Sequence, residues 1–429
     1  MRFDIMHPAD QIVTIMERIY GYGMTTTSGG NLSIMDEAGD IWITPSGIDK
    51  GTLTRDDIMC VKPDGTVIGR YKPSVELPFH STLYKRRPDI KAVLHAHPPT
   101  LVAFSLVGKI PNTNLIPNAN VVCGEVCMAG YDLPGSTTLG EKIANEFDKG
   151  VNTVMMANHG VVVGSSNLFR AFMAFETLEF CARLEVNALS IGTPKSLSDA
   201  YVKISKSKNN AEMDEFVAEN YTSAEREART HMCKMIKRSY KQRLFTSTQG
   251  TFSQRIDGNN FIITPYNMDR AYLTESDLVR IENGKKEAGK NPSRSVWLHQ
   301  YIYEQHPDTN SIIVAHPPNI MAFAVTDEPF DSRTIPESYI ALREVKKLPF
   351  GSSFMQSELT AQEFSSKSPV VIVENDCLIV TGDSLINAFD RLEVAEYSAK
   401  SIIDSKCLGT INKITDEEVE EINEAFNIK

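Results

Sequence analysis

"RRPDIKAVLHAHPPTLVAF", residues 86–104, and "EQHPDTNSIIVAHPPNIMAF", residues 304–323, are two versions of one pattern: Pro-Asp, an apolar run, a histidine, Pro-Pro, then an apolar segment ending in Ala-Phe. The second version has Val314 where His95 stands and keeps His316 at the place of His97. The match extends in both directions. "WITPSGIDKGTLTRDDI" (42–58) lies over "FIITPYNMDRAYLTESDL" (261–278), and "NHGVVVGSSNLFRAF" lies over "NDCLIVTGDSLINAF" in the same order. A period of about 220 residues is of domain size rather than solenoid size. The chain is therefore expected to be two homologous domains, residues 1–222 and 223–429. The polar stretch 205–228 is the expected linker, leading into a helix at "SAEREARTHMCKMIKRSYKQR".

Composition narrows the function. A chain of 429 residues, 41% hydrophobic and 23% charged, is an ordinary globular protein with room for two or three cores. A net charge of -11, with Lys and Arg dispersed, argues against a nucleic-acid partner. No charged-then-apolar leader opens the chain, and no apolar run approaches the roughly 20 residues a bilayer needs, so a cytoplasmic protein without a membrane partner is expected. The seven cysteines are an odd number and form no CxxC pair, which speaks against a disulfide framework or a cysteine zinc site.

Local patterns place the polar residues. "ADQIVTIMERIYGYG" has helical spacing and stops at Gly21 and Gly23. "GNLSIMD", "DIWITPSG" and "IMCVKPDGTVIG" read as strands of a mostly antiparallel sheet. "PSVELPFHSTLYKRRP" reads as a helix capped by Ser74, "IKAVLHAH" as a strand, and "NTVMMANHGVVVGSS" as strand, turn and strand before a helix from about Leu168. On a strand, residues two apart share a face, so His95 and His97 would present two imidazoles together. His159 sits in the turn, and Glu76 at the start of a helix. Three histidines and a carboxylate suit zinc. Spacing alone leaves open the other reading of an HxH pair, a core residue beside a surface residue.

The ordered set "SGGNLS" (28–33), "ITPSG" (43–47), "KPSVELPFH" (72–80), "HAHPP" (95–99) and "NHG" (158–160) resembles the class II aldolase/adducin family, in the branch that includes L-fuculose-1-phosphate aldolase. The resemblance covers most of residues 5–195 and, more loosely, 230–405. It implies an α/β fold of two tandem three-layer α/β/α domains, each with a mainly antiparallel central sheet. It implies a divalent metal, usually zinc, held by His95, His97, His159 and, in the empty enzyme, Glu76, with Glu76 also moving a proton in turnover. Substrate phosphate would be held by Gly30, Asn31, Ser46, Gly47 and Ser74, although Val75 stands where the fuculose-phosphate enzyme has a further hydroxyl. The implied reaction is reversible cleavage of a sugar phosphate, such as a 6-deoxyketose 1-phosphate, to dihydroxyacetone phosphate and a short aldehyde through a metal-stabilised enediolate. Family relatives that decarboxylate or dehydrate related skeletons, and adducin-like assembly modules, are the alternatives.

The second copy lacks this chemistry. His95, His159, Glu76 and Asn31 become Val314, Asp376, Ser295 and Thr251, while Ser46 and Gly47 become Tyr266 and Asn267. Residues 223–429 are therefore expected to be non-catalytic. Family aldolases are commonly four-fold tetramers in which a neighbour lends an acid, so a homodimer of tandem chains would form a pseudo-tetramer of domains. The matching loop "IPESYIALREV" carries Tyr339, a candidate proton donor; an ordinary buried or rim tyrosine is the competing reading.

Overall fold

The computed structural model describes residues 3–207 and 209–428; Lys208, within the expected linker, lies outside the described residues. In the first half, strands β1 (Asn31–Met35), β2 (Ile41–Ile43), β3 (Met59–Val61), β4 (Val67–Ile68), β5 (Ala92–Ala96), β6 (Val126–Ala129), β7 (Thr153–Met156) and β8 (Gly160–Ser165) form one sheet. Their order is β4-β3-β2-β1-β5-β8-β7-β6, and only the β6–β7 pairing is parallel. Both faces of this sheet are covered. Ala92, Leu94 and Ala96 of β5 join a core built with the helices Pro8–Gly21 and Leu168–Ile191. Val93 points the other way, into a core with the helices Leu77–Arg86 and Thr137–Phe147. Two-residue alternation along a strand buried on both sides thus produces three layers.

The second half repeats this plan. Strands β9 (Glu215–Phe216), β10 (Thr251–Asp257), β11 (Asn260–Ile263), β12 (Val279–Glu282), β13 (Lys285–Glu287), β14 (Ser311–Ala315), β15 (Val345–Leu348), β16 (Val370–Val373) and β17 (Cys377–Gly382) run in the order β15-β16-β17-β14-β10-β11-β12-β13-β9. Apart from β9, each strand has its counterpart in the same place in the first sheet. Register is retained as well: Asn31 pairs with His95 in the first sheet, and Thr251 pairs with Val314 in the second. The residue equivalences drawn from sequence are thus also equivalences of position.

The chain divides into two compact units, residues 1–114 with 118–183 and residues 115–117 with 184–429. The division falls inside the helix Leu168–Ile191. The segment beyond that helix is no free tether, because β9 adds a parallel strand to β13. Among the described residues no helix is long and apolar enough to cross a membrane, and none of the seven cysteines forms a disulfide.

Candidate functional site

β5 decides where His95 goes. Alternation turns it to the same face as Val93, toward the helix Leu77–Arg86, and buries it completely. His97 lies one residue past the strand, and His159 lies in the β7–β8 turn after Asn158, whose φ of 57° is left-handed. The shared-face expectation therefore holds for His95 only as a strand residue, yet the three rings do gather. Their centroids lie 4.5 Å (His95–His97), 4.9 Å (His95–His159) and 5.0 Å (His97–His159) apart. One nitrogen from each falls within 4.8 Å of the others, and among the described residues this is the one such group of three or more metal-capable side chains.

Glu76 completes the cluster. The helix begins later than its sequence suggests: Leu77 is its first residue and Glu76, not Ser74, is its cap position. The Ser74 hydroxyl instead accepts from the Glu76 amide at 3.3 Å, within the turn that precedes the helix. The Glu76 side chain caps nothing. It turns to the histidines, with Oε2 at 3.3 Å from His95 Nε2 and Oε1 at 3.8 Å from His159 Nε2.

These contacts fit a cation. His95 Nδ1 lies 3.0 Å from the Val161 carbonyl, so Nδ1 carries the proton and Nε2 offers a lone pair. That lone pair faces a carboxylate oxygen, two acceptors opposed at 3.3 Å. Glu76 Oε1, His95 Nε2 and His97 Nε2 are all buried without a hydrogen-bond partner. Leaving three such atoms unmade is costly unless something positive sits among them. Burial pushes the His95 imidazole down to about 3, helped by the charge of His159 and opposed by the Val161 carbonyl. Burial likewise pushes His97 down to about 3, with His95 and His159 adding to it and Glu76 opposing. His159 is lowered too, by burial against the pull of Glu76. The histidines are thus neutral at ordinary pH, the form that metal binding requires.

The residues expected to hold phosphate lie on three segments, 30–31, 46–47 and 74, and a bridge between Pro45 and Pro73 joins the last two. The Ser46 amide donates to the Lys72 carbonyl and the Ser74 amide to the Thr44 carbonyl. Gly47 has a φ of 69° and open space around it. Gly30 has a different reason to be glycine: a Cβ there would lie 2.8 Å from the His95 carbonyl oxygen. Asn31 donates from Nδ2 to Glu76 Oε2 at 2.6 Å. Val75 is 65% exposed.

Three contributors escaped the sequence reading. Gly160 lets the β8 strand pass His97: a Cβ would meet the Ala96 carbonyl oxygen at 2.5 Å and His97 Cδ2 at 2.8 Å. Lys50 is buried beneath the Thr-Pro-Ser-Gly loop and donates to the Pro45 and Ile48 carbonyls at 2.7 and 3.2 Å. Burial lowers it to about 8, against the charge of Asp49. His80 contacts Asn31 and Ser33. Two of the three had a signal in the repeat, whereas Gly160 is replaced by Cys377. Lys50 answers to Arg270, likewise buried on loop carbonyls, and His80 and Tyr84 recur at the same spacing as His299 and Tyr303.

In the second unit the same positions hold something else. Ser295 adopts the backbone of Glu76, φ -85° and ψ 8° against -93° and 5°. Its hydroxyl meets Ser293, which in turn meets Thr251. Asn375 is left-handed like Asn158, but Asp376 accepts a hydrogen bond from Ser353. Tyr339 belongs to this unit, where its hydroxyl donates to Asn423 at 3.0 Å.

The Class II Aldolase and Adducin N-terminal domain family matches residues 10–186 and 230–403. The chain belongs to this family. Its two class II aldolase domains are α/β units with mostly antiparallel sheets, arranged in tandem. A 5-deoxy-D-ribulose 1-phosphate aldolase of Bacillus thuringiensis serovar kurstaki is 34% identical over 197 residues, 44% of this chain and 89% of that protein. A 3-oxo-tetronate 4-phosphate decarboxylase of Haemophilus influenzae is 32% identical over 177 residues, 40% of this chain and 84% of its own. An L-fuculose phosphate aldolase of Methanococcus maripaludis is 31% identical over 175 residues, 41% of this chain and 93% of its own.

Proposed function

We propose that this class II aldolase family member is a metal-dependent carbon–carbon lyase acting on a ketose phosphate, releasing dihydroxyacetone phosphate and a short aldehyde. The observation that carries this reading is the buried group of His95, His97, His159 and Glu76, with three polar atoms lacking partners and facing one point. Zinc, or another divalent cation, would be held there by the three imidazoles, and would stabilise the negative charge that develops on substrate oxygens as the carbon–carbon bond opens. Glu76 moves the proton at the carbon that keeps the electron pair, a role open to it because its carboxylate has no capping duty. Gly30, Asn31, Ser46, Gly47 and Ser74 form the phosphate-side wall, braced from below by Lys50. Tyr339 is the candidate for the proton exchanged at the aldehyde oxygen. Residues 1–222 form the catalytic half and 223–429 the degenerate half, in a cytoplasmic homodimer.

The decarboxylase among the relatives supports a second reading, loss of carbon dioxide from a sugar-acid phosphate. It uses the same logic, since both reactions leave an electron pair beside a carbonyl. Metal analysis followed by assays on ketose 1-phosphates and on 3-oxo sugar-acid phosphates separates the two. Glu76→Gln is the decisive variant: metal retained with turnover lost supports the assignment, and near-normal turnover removes it.

A further inference from the structure

Glu76 is held by a file of hydrogen bonds that begins in the core. The Tyr84 hydroxyl and His80 Nδ1 each lie 2.6 Å from Ser33 Oγ. His80 Nε2 lies 2.5 Å from Asn31 Oδ1, and Asn31 Nδ2 donates to Glu76 Oε2 at 2.6 Å. One arrangement of protons satisfies the file. An ionised carboxylate only accepts, which turns the Asn31 amide nitrogen toward it and the carboxamide oxygen toward His80. His80 Nε2 therefore carries the ring proton, Nδ1 accepts from the Ser33 hydroxyl, and Ser33 accepts from Tyr84. Every bond points toward Glu76.

The second unit supplies the comparison. Ser253 meets His299 Nδ1 and the Tyr303 hydroxyl, each at 2.7 Å, so the core end of the file is intact. Thr251 replaces Asn31 and is too short to continue it, and His299 Nε2 is left buried without a partner. Ser295 stands where the carboxylate would be. The Tyr-Ser-His trio therefore folds equally well with nothing to serve, and the link through Asn31 exists only in the unit that has a Glu76.

We infer that His80 is a positioning residue: acting through Asn31, it fixes Glu76 Oε2 and thereby leaves Oε1 as the working oxygen. This rests on the reading of Glu76 as the proton carrier. A histidine whose purpose was core packing would need only the serine contact that His299 has.

The test uses the full chain loaded with zinc, with dihydroxyacetone phosphate and acetaldehyde as substrates for condensation. Asn31→Thr installs the residue the second unit carries in the same register; His80→Gln, the pair of changes, and His299→Gln complete the set. Each of the first two should lower kcat roughly 10- to 100-fold with zinc content close to wild type, and His80→Gln, which touches no substrate group, should also keep KM close to wild type. The pair should be no slower than Asn31→Thr alone, because the file is already cut, and His299→Gln should keep full kcat. Losses in the pair that multiply, or a His80→Gln kcat within about twofold of wild type, would overturn the inference. If His80→Gln does not fold, Ser33→Ala breaks the file one bond earlier and is judged by the same comparison with Asn31→Thr. Near-normal turnover in Glu76→Gln defeats the underlying reading instead; an inactive Glu76→Gln beside an unaffected His80→Gln removes only the positioning role.

Discussion

Gly160→Ala is a one-carbon change whose consequence can be worked from distances. The added Cβ would lie 2.5 Å from the Ala96 carbonyl oxygen and 2.8 Å from His97 Cδ2, where ordinary contact begins at 3.4 Å. Relief takes nearly an ångström of movement. The Ala96 oxygen belongs to a backbone paired with β8, Ala96 against Val161, so the strand resists and the His97 ring is the softer partner. Overpacking of this kind costs about 1–3 kcal/mol. At about 2–4 °C per kcal/mol for a domain of this size, the melting temperature of the metal-free protein should fall by roughly 2–12 °C. The larger effect should be on metal: ligand distances tolerate about 0.2 Å, so a displaced His97 weakens binding by tenfold or more. Differential scanning calorimetry of the metal-free protein and a calorimetric zinc titration read the two quantities. Unchanged melting together with wild-type zinc affinity would refute the packing argument. The second unit already argues for it. Cys377 occupies the matching position at the start of β17, so the fold admits a side chain there where Val314 and Asp376 replace two of the histidines.

Further outcomes are expected. His299 is held down to about 3 by burial against 6.5 when free, so the unfolded chain binds its proton first and stability falls as pH drops below about 6.5, by up to about 1.4 kcal/mol per pH unit; urea midpoints from pH 7 to 5 should decline less steeply in His299→Gln. Lys50, lowered to about 8, works in the opposite window: the folded protein sheds its proton first, so stability rises between about pH 8 and 10.5, and Lys50→Met should flatten that rise in the same measurement. Tyr339→Phe should lower kcat at least tenfold with zinc content unchanged; full turnover would leave Tyr339 as no more than the partner of Asn423. Val314→His with Asp376→His should raise the bound zinc from one to two per chain, since the second sheet keeps the register and His316 is in place, and a stoichiometry of one would count against equivalence of the two positions.

The tandem repeat and the α/β class were legible from residue order, and so was the candidate set His95, His97, His159 and Glu76 that the structure brings together. They depend on short-range patterns, such as two-residue alternation, turn glycines and an internal copy that acts as its own alignment. The helix start at Glu76 rather than Ser74 was misread because Ser74 belongs to the preceding turn, and two residues there decide whether the carboxylate caps the helix or faces the histidines. The polar joining segment leads into the helix Ser223–Lys241, as its composition suggests, and the two-residue strand β9 within it has no periodicity to detect.

What residue order determined, then, was which side chains were present and which face of a strand each would take. Tertiary structure decided what they touch. Asn31 and Glu76 stand 45 positions apart, and His80 and Asn31 stand 49 apart. Their meeting depends on the pairing of β1 with β5 and on how the helix Leu77–Arg86 lies over that pair. Hydrogen bonds form or fail within a few tenths of an ångström, a scale on which sequence spacing carries no information and sheet register and packing carry all of it.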